Sequence, residues 1–232
     1  MPLYDGQVES LPPSGRPSTD RSLGVNCVIA SFKDFNFSDE NVCGVLVQYP
    51  DTTGHIEDFS SLVKTAHKFQ ALVACATDLL ALAVVKPPGE FGFDIALGNS
   101  QRLGVPLGYG GPHAAFFAVK DQLKREMPGR IVGVTKDSWG NKAYRLALQP
   151  REQHIKRQRA TSNICTAQAL LANMSAMYAI YHGSTGLQRI ARRIQTAALL
   201  LAEGVKDAGH SVESDMFFDT LKLNKSSPSN YC

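Results

Sequence analysis

The sequence predicts an α/β protein with a mainly parallel sheet and helices on its faces. Three observations lead there. Short apolar, β-rich runs recur at Cys43–Tyr49, Leu72–Ala76, Asp94–Leu97 and Ala114–Val119. Between the first two lies a helical period over Ile56–Phe69, with apolar residues at 56, 59, 62, 63 and 66. The 232 residues are 44% hydrophobic and 19% charged, enough apolar side chain for a sizeable core. Strands alternating with helices in this rhythm form βαβ units.

Taken in order, Met1–Gly24 is rich in Pro, Ser and Gly and lacks the apolar segment of a signal peptide; Pro12–Asp20 reads as disordered. Val25–Phe32 is a further β-rich run, and Pro50–Gly54 breaks the next one as a turn. Arg130–Thr135 and Tyr144–Leu148 flank Asp137–Asn141 and predict a hairpin closed by a Gly-Asn turn. Cys165–Tyr181 predicts a helix apolar nearly all round, hence buried in a core or an interface, with Gly183 ending it. Leu187–Ala208 predicts a second helix. Leu187, Ile190, Ala191, Ile194, Ala198, Leu201 and Val205 lie on one face, Arg189, Arg192 and Arg193 on the other, and Gly209 stops it. Phe217–Leu223 is strand-like with nothing after it to pair with, which suggests a chain cut short.

Bulk properties exclude several function classes. The net charge of +3 is too slight to imply nucleic acid or a membrane surface, and no apolar stretch is long enough to span a bilayer. The five cysteines form no C-x-x-C pair, which argues against a zinc site or a secreted disulfide framework. Cys43, Cys75 and Cys165 sit in apolar runs and read as small buried side chains.

Two segments carry candidate chemistry. Gly98–His113 holds five glycines and two prolines directly after a strand. Ligands of open α/β sheets collect at such a place, but the spacing fits neither nucleotide phosphate motif. A binding loop and a structural loop both remain open readings, and so do functional and structural roles for His113. In the second segment, Arg151, His154, Lys156, Arg157 and Arg159 precede the apolar helix. That cluster is either a solvated connector or an anion-facing turn. In the latter, Thr161, Ser162 or Asn163 caps a helix whose first N–H groups receive a phosphate or carboxylate.

The stretches VLVQYPDTTGHIEDF, CATDLLAL, PPGEFGFDIALGNSQRLGVPLGYGGPHAAFFAV, PGRIVGVTKD, YRLALQPREQHIKRQRATSNICTAQALLANMSAMYAIYHG and FFDTLKL together resemble the glycine cleavage system P-protein family. They cover roughly Val42 to Leu223. The resemblance implies a type I pyridoxal-phosphate-dependent transferase (aminotransferase-like) fold. It implies an unmatched segment over 1–24, part of the large domain over 25–183, and the start of a small domain over 184–232. It further implies glycine decarboxylation, with aminomethyl transfer to the lipoyl group of H-protein. Members work in the mitochondrial matrix in eukaryotes and in the cytoplasm in bacteria.

The family's chain has two similar halves, and this sequence resembles the interior of the first, truncated at both ends. The cofactor, pyridoxal 5′-phosphate, is held by a lysine of the second half, five residues before a proline that leads into a glycine run. The matching proline here is Pro106, and five residues before it stands Gln101, whose amide cannot form a Schiff base. The Asp that would hold the pyridine nitrogen aligns with Cys75, or, if the register slips, with Asp78. This piece would then be the non-catalytic half, packing on the lysine-bearing half of a homodimeric enzyme. Gln101, Arg102, His113 and Thr161–Asn163 would face that interface, with Arg102 and the basic cluster offering cation sites. The remaining alternatives are a stand-alone enzyme using another lysine, and an interaction or regulatory fragment that binds the catalytic half or H-protein.

Overall fold

The computed structural model describes residues 27–33, 35–38, 41–127, 131–148, 153–160 and 168–224. Its main sheet has the order β1-β2-β3-β4, comprising β1 (Gly44–Tyr49), β2 (Leu72–Thr77), β3 (Ile95–Asn99) and β4 (Ala115–Val119). The first three strands are parallel, as the βαβ rhythm requires. Helix α1 (Ser60–Lys68) makes the crossover from β1 to β2, and α2 (Pro88–Phe91) lies between β2 and β3. β4 departs from the rhythm and runs antiparallel to β3. The connection between those two strands, residues 100–114, is a glycine-rich loop with no helix, and the chain returns alongside its neighbour.

Burial alternates along β2, where Val73, Cys75 and Thr77 are inside. Against them pack Leu62, Val63 and Ala66 of α1, with Tyr49, Phe59 and Phe93. The rings meet edge to face, with centroids 6.0 Å apart for Tyr49–Phe59 and for Phe59–Phe93. On the other face of the sheet Leu46 and Phe117 remain 61% and 42% exposed. Among the described residues, helix packing therefore covers one face of the sheet rather than both.

Several expectations are revised. Residues 27–32 form no strand; Phe32 turns its ring onto Phe59, 5.3 Å between centroids. Helix α1 starts at Ser60 rather than Ile56, because the Ile56 N–H is taken by the Met216 carbonyl and His55 bridges to Phe217. Cys43 is exposed, since it precedes the edge strand β1, whereas Cys75 is buried as expected. Cys165 lies outside the described residues. Phe217–Leu223 is no strand but two isolated bridges, His55 to Phe217 and Val212 to Leu223.

The hairpin is present as β5 (Ile131–Lys136) and β6 (Lys142–Leu148). Its turn is fixed by Asp137, whose Oδ1 accepts the N–H groups of Trp139 at 2.9 Å and Asn141 at 2.8 Å. After the short α3 (Gln153–Lys156), the two expected long helices form one element, α4 (Ala169–Asp207), broken by a single non-helical residue, Gly183 (φ 62°). Its second part buries Ala191 and Ala198 as expected, but Ala202 in place of Leu201, which is 61% exposed. In its first part, Leu170, Met177, Ile180 and Tyr181 are exposed, contrary to the burial expected from composition. No helix among the described residues is long and apolar enough to cross a membrane.

One buried carboxylate ties these elements together. Asp94, 3% exposed, stands just before β3. Its Oδ2 accepts His67 Nε2 at 2.8 Å, from α1, and the Val73 N–H at 2.9 Å, from β2. Its Oδ1 accepts Lys120 Nζ at 2.7 Å, from just beyond β4. Burial alone would raise its pKa, but the bonds from Lys120, His67 and the Val73 N–H outweigh that and hold it below the ordinary 3.8. A depressed carboxylate stabilises the fold above its unfolded pKa and loses that stabilisation as pH falls through the folded one. Asp94→Asn is therefore expected to cost about 2–3 kcal/mol at neutral pH. Urea unfolding should show this deficit shrinking below about pH 4; an equal deficit at pH 7 and pH 3 would contradict the assignment.

Candidate functional site

The loop between β3 and β4 leaves the carboxyl end of a parallel strand, where ligands of such sheets gather. Its base is closed by Ser100, whose N–H and hydroxyl both donate to the Ala114 carbonyl, at 2.9 and 3.2 Å. This bond lies directly past the Asn99–Ala115 pair of the ladder. Gln101 and His113 thus stand one residue past the base, on opposite legs of one loop. The Gln101 N–H donates to Asn99 Oδ1 at 2.8 Å, and its side-chain Nε2 reaches back to the Pro106 carbonyl at 3.4 Å. His113 is exposed. At the tip Leu107 and Tyr109 point into solvent, 76% and 110% exposed. Tyr109 holds φ at 54°, a region that costs a non-glycine residue conformational energy.

Arg102 has a different setting from the one its sequence position suggests. Its Nε lies 3.1 Å from Asp78 Oδ2, just past β2, and its Nη2 donates to Asp219 Oδ2. Two carboxylates surround one guanidinium. Arg102 is thereby a tie between β2, the glycine loop and the C-terminal segment. To receive a substrate carboxylate or a phosphate it would have to leave both partners. Burial pushes the Asp78 carboxyl above its ordinary value, against the pull of Arg102. Asp219 was not legible as a partner, because 117 residues separate it from Arg102.

The loop is also fixed from the helix side. The Ser175 and Ser100 hydroxyls, both buried, are 3.0 Å apart. Gly104 (φ 80°) lies so close to Tyr178 that an added Cβ would come within 2.7 Å of its ring. Only glycine fits that contact and that backbone angle.

The other expected positions divide as follows. Cys75 lies inside the core, its thiol pushed up to about 12 by burial, and is therefore neutral. Near it, at the end of β2, the buried Thr77 hydroxyl has no hydrogen-bond partner among the described residues. Thr161, Ser162, Asn163 and Arg151 lie outside the described residues, and so does the side chain of His154. Lys156, Arg157 and Arg159 are exposed. The loop 98–113 contains no lysine. Position 101 offers an amide bonded to its own loop and position 75 a neutral core thiol, while the carboxylate of the other candidate, Asp78, is paired with Arg102.

Comparison with known proteins bears on what this loop belongs to. The family model described as glycine cleavage system P-protein matches residues 18–231. The mitochondrial glycine dehydrogenase (decarboxylating) of Mus musculus is 68% identical over 190 residues, covering 82% of this chain and 18% of that protein. The Synechocystis protein of the same name is 56% identical over 201 residues, covering 87% of this chain and 20% of that protein. The chain thus spans about a fifth of the length of these relatives. A crystal structure of glycine decarboxylase (P-protein), in inhibitor-bound form, superposes with a TM-score of 0.73 at 41% identity, over 79% of this chain and 43% of that one. An aspartate aminotransferase from Thermus thermophilus, at 16% identity and a TM-score of 0.52 over 84% of this chain and 53% of that one, shares the fold. The fold is that of the aminotransferase-like, pyridoxal-phosphate-dependent enzymes, and the chain belongs to the glycine cleavage system P-protein family.

Proposed function

We propose that this chain is part of a glycine decarboxylase of the glycine cleavage system, supplying the half that carries no cofactor lysine. It packs on the lysine-bearing half and completes the pyridoxal-phosphate site there. The observation that carries this reading is the glycine loop. It keeps the strand-end position and the rigid anchoring of a ligand loop, yet offers Gln101 where an amine is required. Its work is then positional. Ser100, Arg102 and Gly104 hold the loop against β2, α4 and the C-terminal segment, so that Gln101 and His113 are presented on fixed legs. A loop held in this way can orient a substrate and exclude water at an interface without rearranging during the reaction. The partners on this reading are the lysine-bearing half, glycine, the lipoyl group of H-protein and a second full-length chain in a homodimer. The compartment is the mitochondrial matrix or the bacterial cytoplasm, according to source.

Mixing experiments test this. Glycine-dependent CO2 release by the lysine-bearing half of a relative should rise by roughly a hundredfold when this chain is added, while this chain alone stays inactive. Decarboxylation by this chain alone would overturn the reading. Complex formation with no gain in rate would instead favour an interaction or regulatory role.

The positional role of Arg102 makes a separate prediction. Asp219→Asn removes a carboxylate that ties the loop to the C-terminal segment, and should cost about 1 kcal/mol after solvent screening. Asp78→Asn keeps the acceptor for the Leu80 N–H and removes a charge that burial disfavours. It should lie within about 0.5 kcal/mol of the parent. Urea midpoints of the two variants check the order; the reverse order would show that Asp78, not Asp219, carries the tie.

A further inference from the structure

Independently of the proposed function, we infer that the hairpin β5–β6 is a binding site for a small amphipathic anion, a carboxylate or phosphate head on a linear apolar tail. Lys136 and Lys142 are partners directly across the ladder, both exposed, in the pair next to the turn. Like charges directly opposite one another destabilise a strand pair. Neither strand carries an Asp or Glu, and neither lysine has a carboxylate partner among the described residues. The acid of the turn, Asp137, is already engaged. Its Oδ1 accepts the Trp139 and Asn141 N–H groups, and its Oδ2 accepts Asn141 Nδ2 at 3.3 Å.

An anion held between the two ammonium groups removes that repulsion. Space for it is present: an open concavity of about 720 Å³ is lined by Val134, Thr135, Lys136, Gly140 and Lys142, a volume in the range of small-ligand sites. The tail is specified by the residues next along the ladder. Side chains alternate across a strand, so Val134 with Tyr144, then Val132 with Leu146, are the next two cross-strand pairs on the face of the lysines. These four are 67%, 65%, 60% and 40% exposed. Lys142 Nζ lies 5.4 Å from the Tyr144 ring centroid, which joins the cationic end to the apolar track. At about 3.4 Å per residue the track runs roughly 14 Å from the lysines, a length that a linear tail of about ten carbons covers.

Charge and geometry select this occupant over others. An anionic membrane surface calls for a cluster of about four to eight basic residues, whereas two lysines stand here and the net charge of the chain is +3. A neutral apolar partner would leave the lysine repulsion in place. A free inorganic anion would leave the apolar pairs behind the lysines in water. One charged head with an apolar continuation answers both ends of the face. Among the described residues, β5 and β6 form a two-stranded sheet of their own, so no other strand takes up this ladder.

Equilibrium dialysis of the full chain against decanoate and against decyl phosphate, both below micelle formation, tests the site. Each should bind saturably, one per chain, and binding of one probe alone supports the site and names its head group. Decanol, the tail without the charge, and acetate or inorganic phosphate, the head without the tail, should bind at least roughly tenfold more weakly. The double variant Lys136→Gln/Lys142→Gln should weaken the bound probe at least roughly tenfold. The charge-matched Lys64→Gln/Lys68→Gln, on α1, should leave it unchanged. A folding defect is distinguished by urea unfolding, in which the hairpin variant should be no less stable than the parent, because it removes a like-charge pair. Binding that survives the hairpin variant, or equal binding of decanol or of the bare head groups, would overturn the inference. So would loss of binding together with a lowered urea midpoint, which would make the lysines folding residues. Binding to phosphatidylglycerol vesicles with neither monomeric probe bound would name a membrane surface instead. Self-association abolished by the hairpin variant, again with neither probe bound, would name a second copy of the chain. Either result would overturn the inference, and none of these outcomes bears on the proposed function.

Discussion

The buried carboxylate of Asp94 is the constraint from which the rest of the architecture hangs. It sits at the amino end of β3 and gathers donors from α1, β2 and the residue after β4. The Lys120 ammonium that neutralises it also donates to the Gly92 carbonyl at 2.8 Å, closing the turn that leads into β3. With that end of the sheet fixed, the opposite end of β3 projects its loop in one direction. Ser100, Gly104 and Arg102 then each remove one freedom of that loop: at its base, against the helix, and against the C-terminal segment. The candidate site is thus held by two polar anchors at opposite ends of one short strand.

Much of this was legible in the sequence, and the failures have physical causes. β1, β2 and the hairpin were readable because their signals are local, an apolar run between turn residues. Asp51 shows the same economy. Its Oδ1 accepts the N–H groups of Thr53 and His55, both at 2.8 Å, and makes the expected turn out of β1. The antiparallel sense of β4 was missed because strand direction is set by the connection, and a glycine-rich loop gives no helical period to read. The start of α1 was misplaced because Ile56 fits the helical pattern but its backbone is claimed by Met216.

The site divides in the same way. The loop's composition and the family pattern point to Gln101 and His113, which the structure sets on opposite legs of the loop. The pairing of Arg102 with Asp219 left no trace in spacing, being a tertiary contact between distant segments. The apolar helix posed a further problem. Composition predicted burial but could not say by what. In this chain the buried contacts of its first part run through Ser175 and Tyr178, leaving the larger apolar side chains outward. Residues 170–181 therefore leave an uncharged apolar surface exposed among the described residues. The open sheet face around Leu46 and Phe117 has the same character.

The claim that this half has surrendered covalent attachment of the cofactor is tested most directly by trapping. The purified chain is mixed with pyridoxal 5′-phosphate, reduced with borohydride, and searched by mass spectrometry for labelled lysine. No stoichiometric label at any single lysine is the expected result, because position 101 is an amide and no lysine lies in the loop 98–113. One fully labelled lysine with the absorbance of an internal Schiff base would contradict the account and make the chain a cofactor-bearing enzyme in its own right.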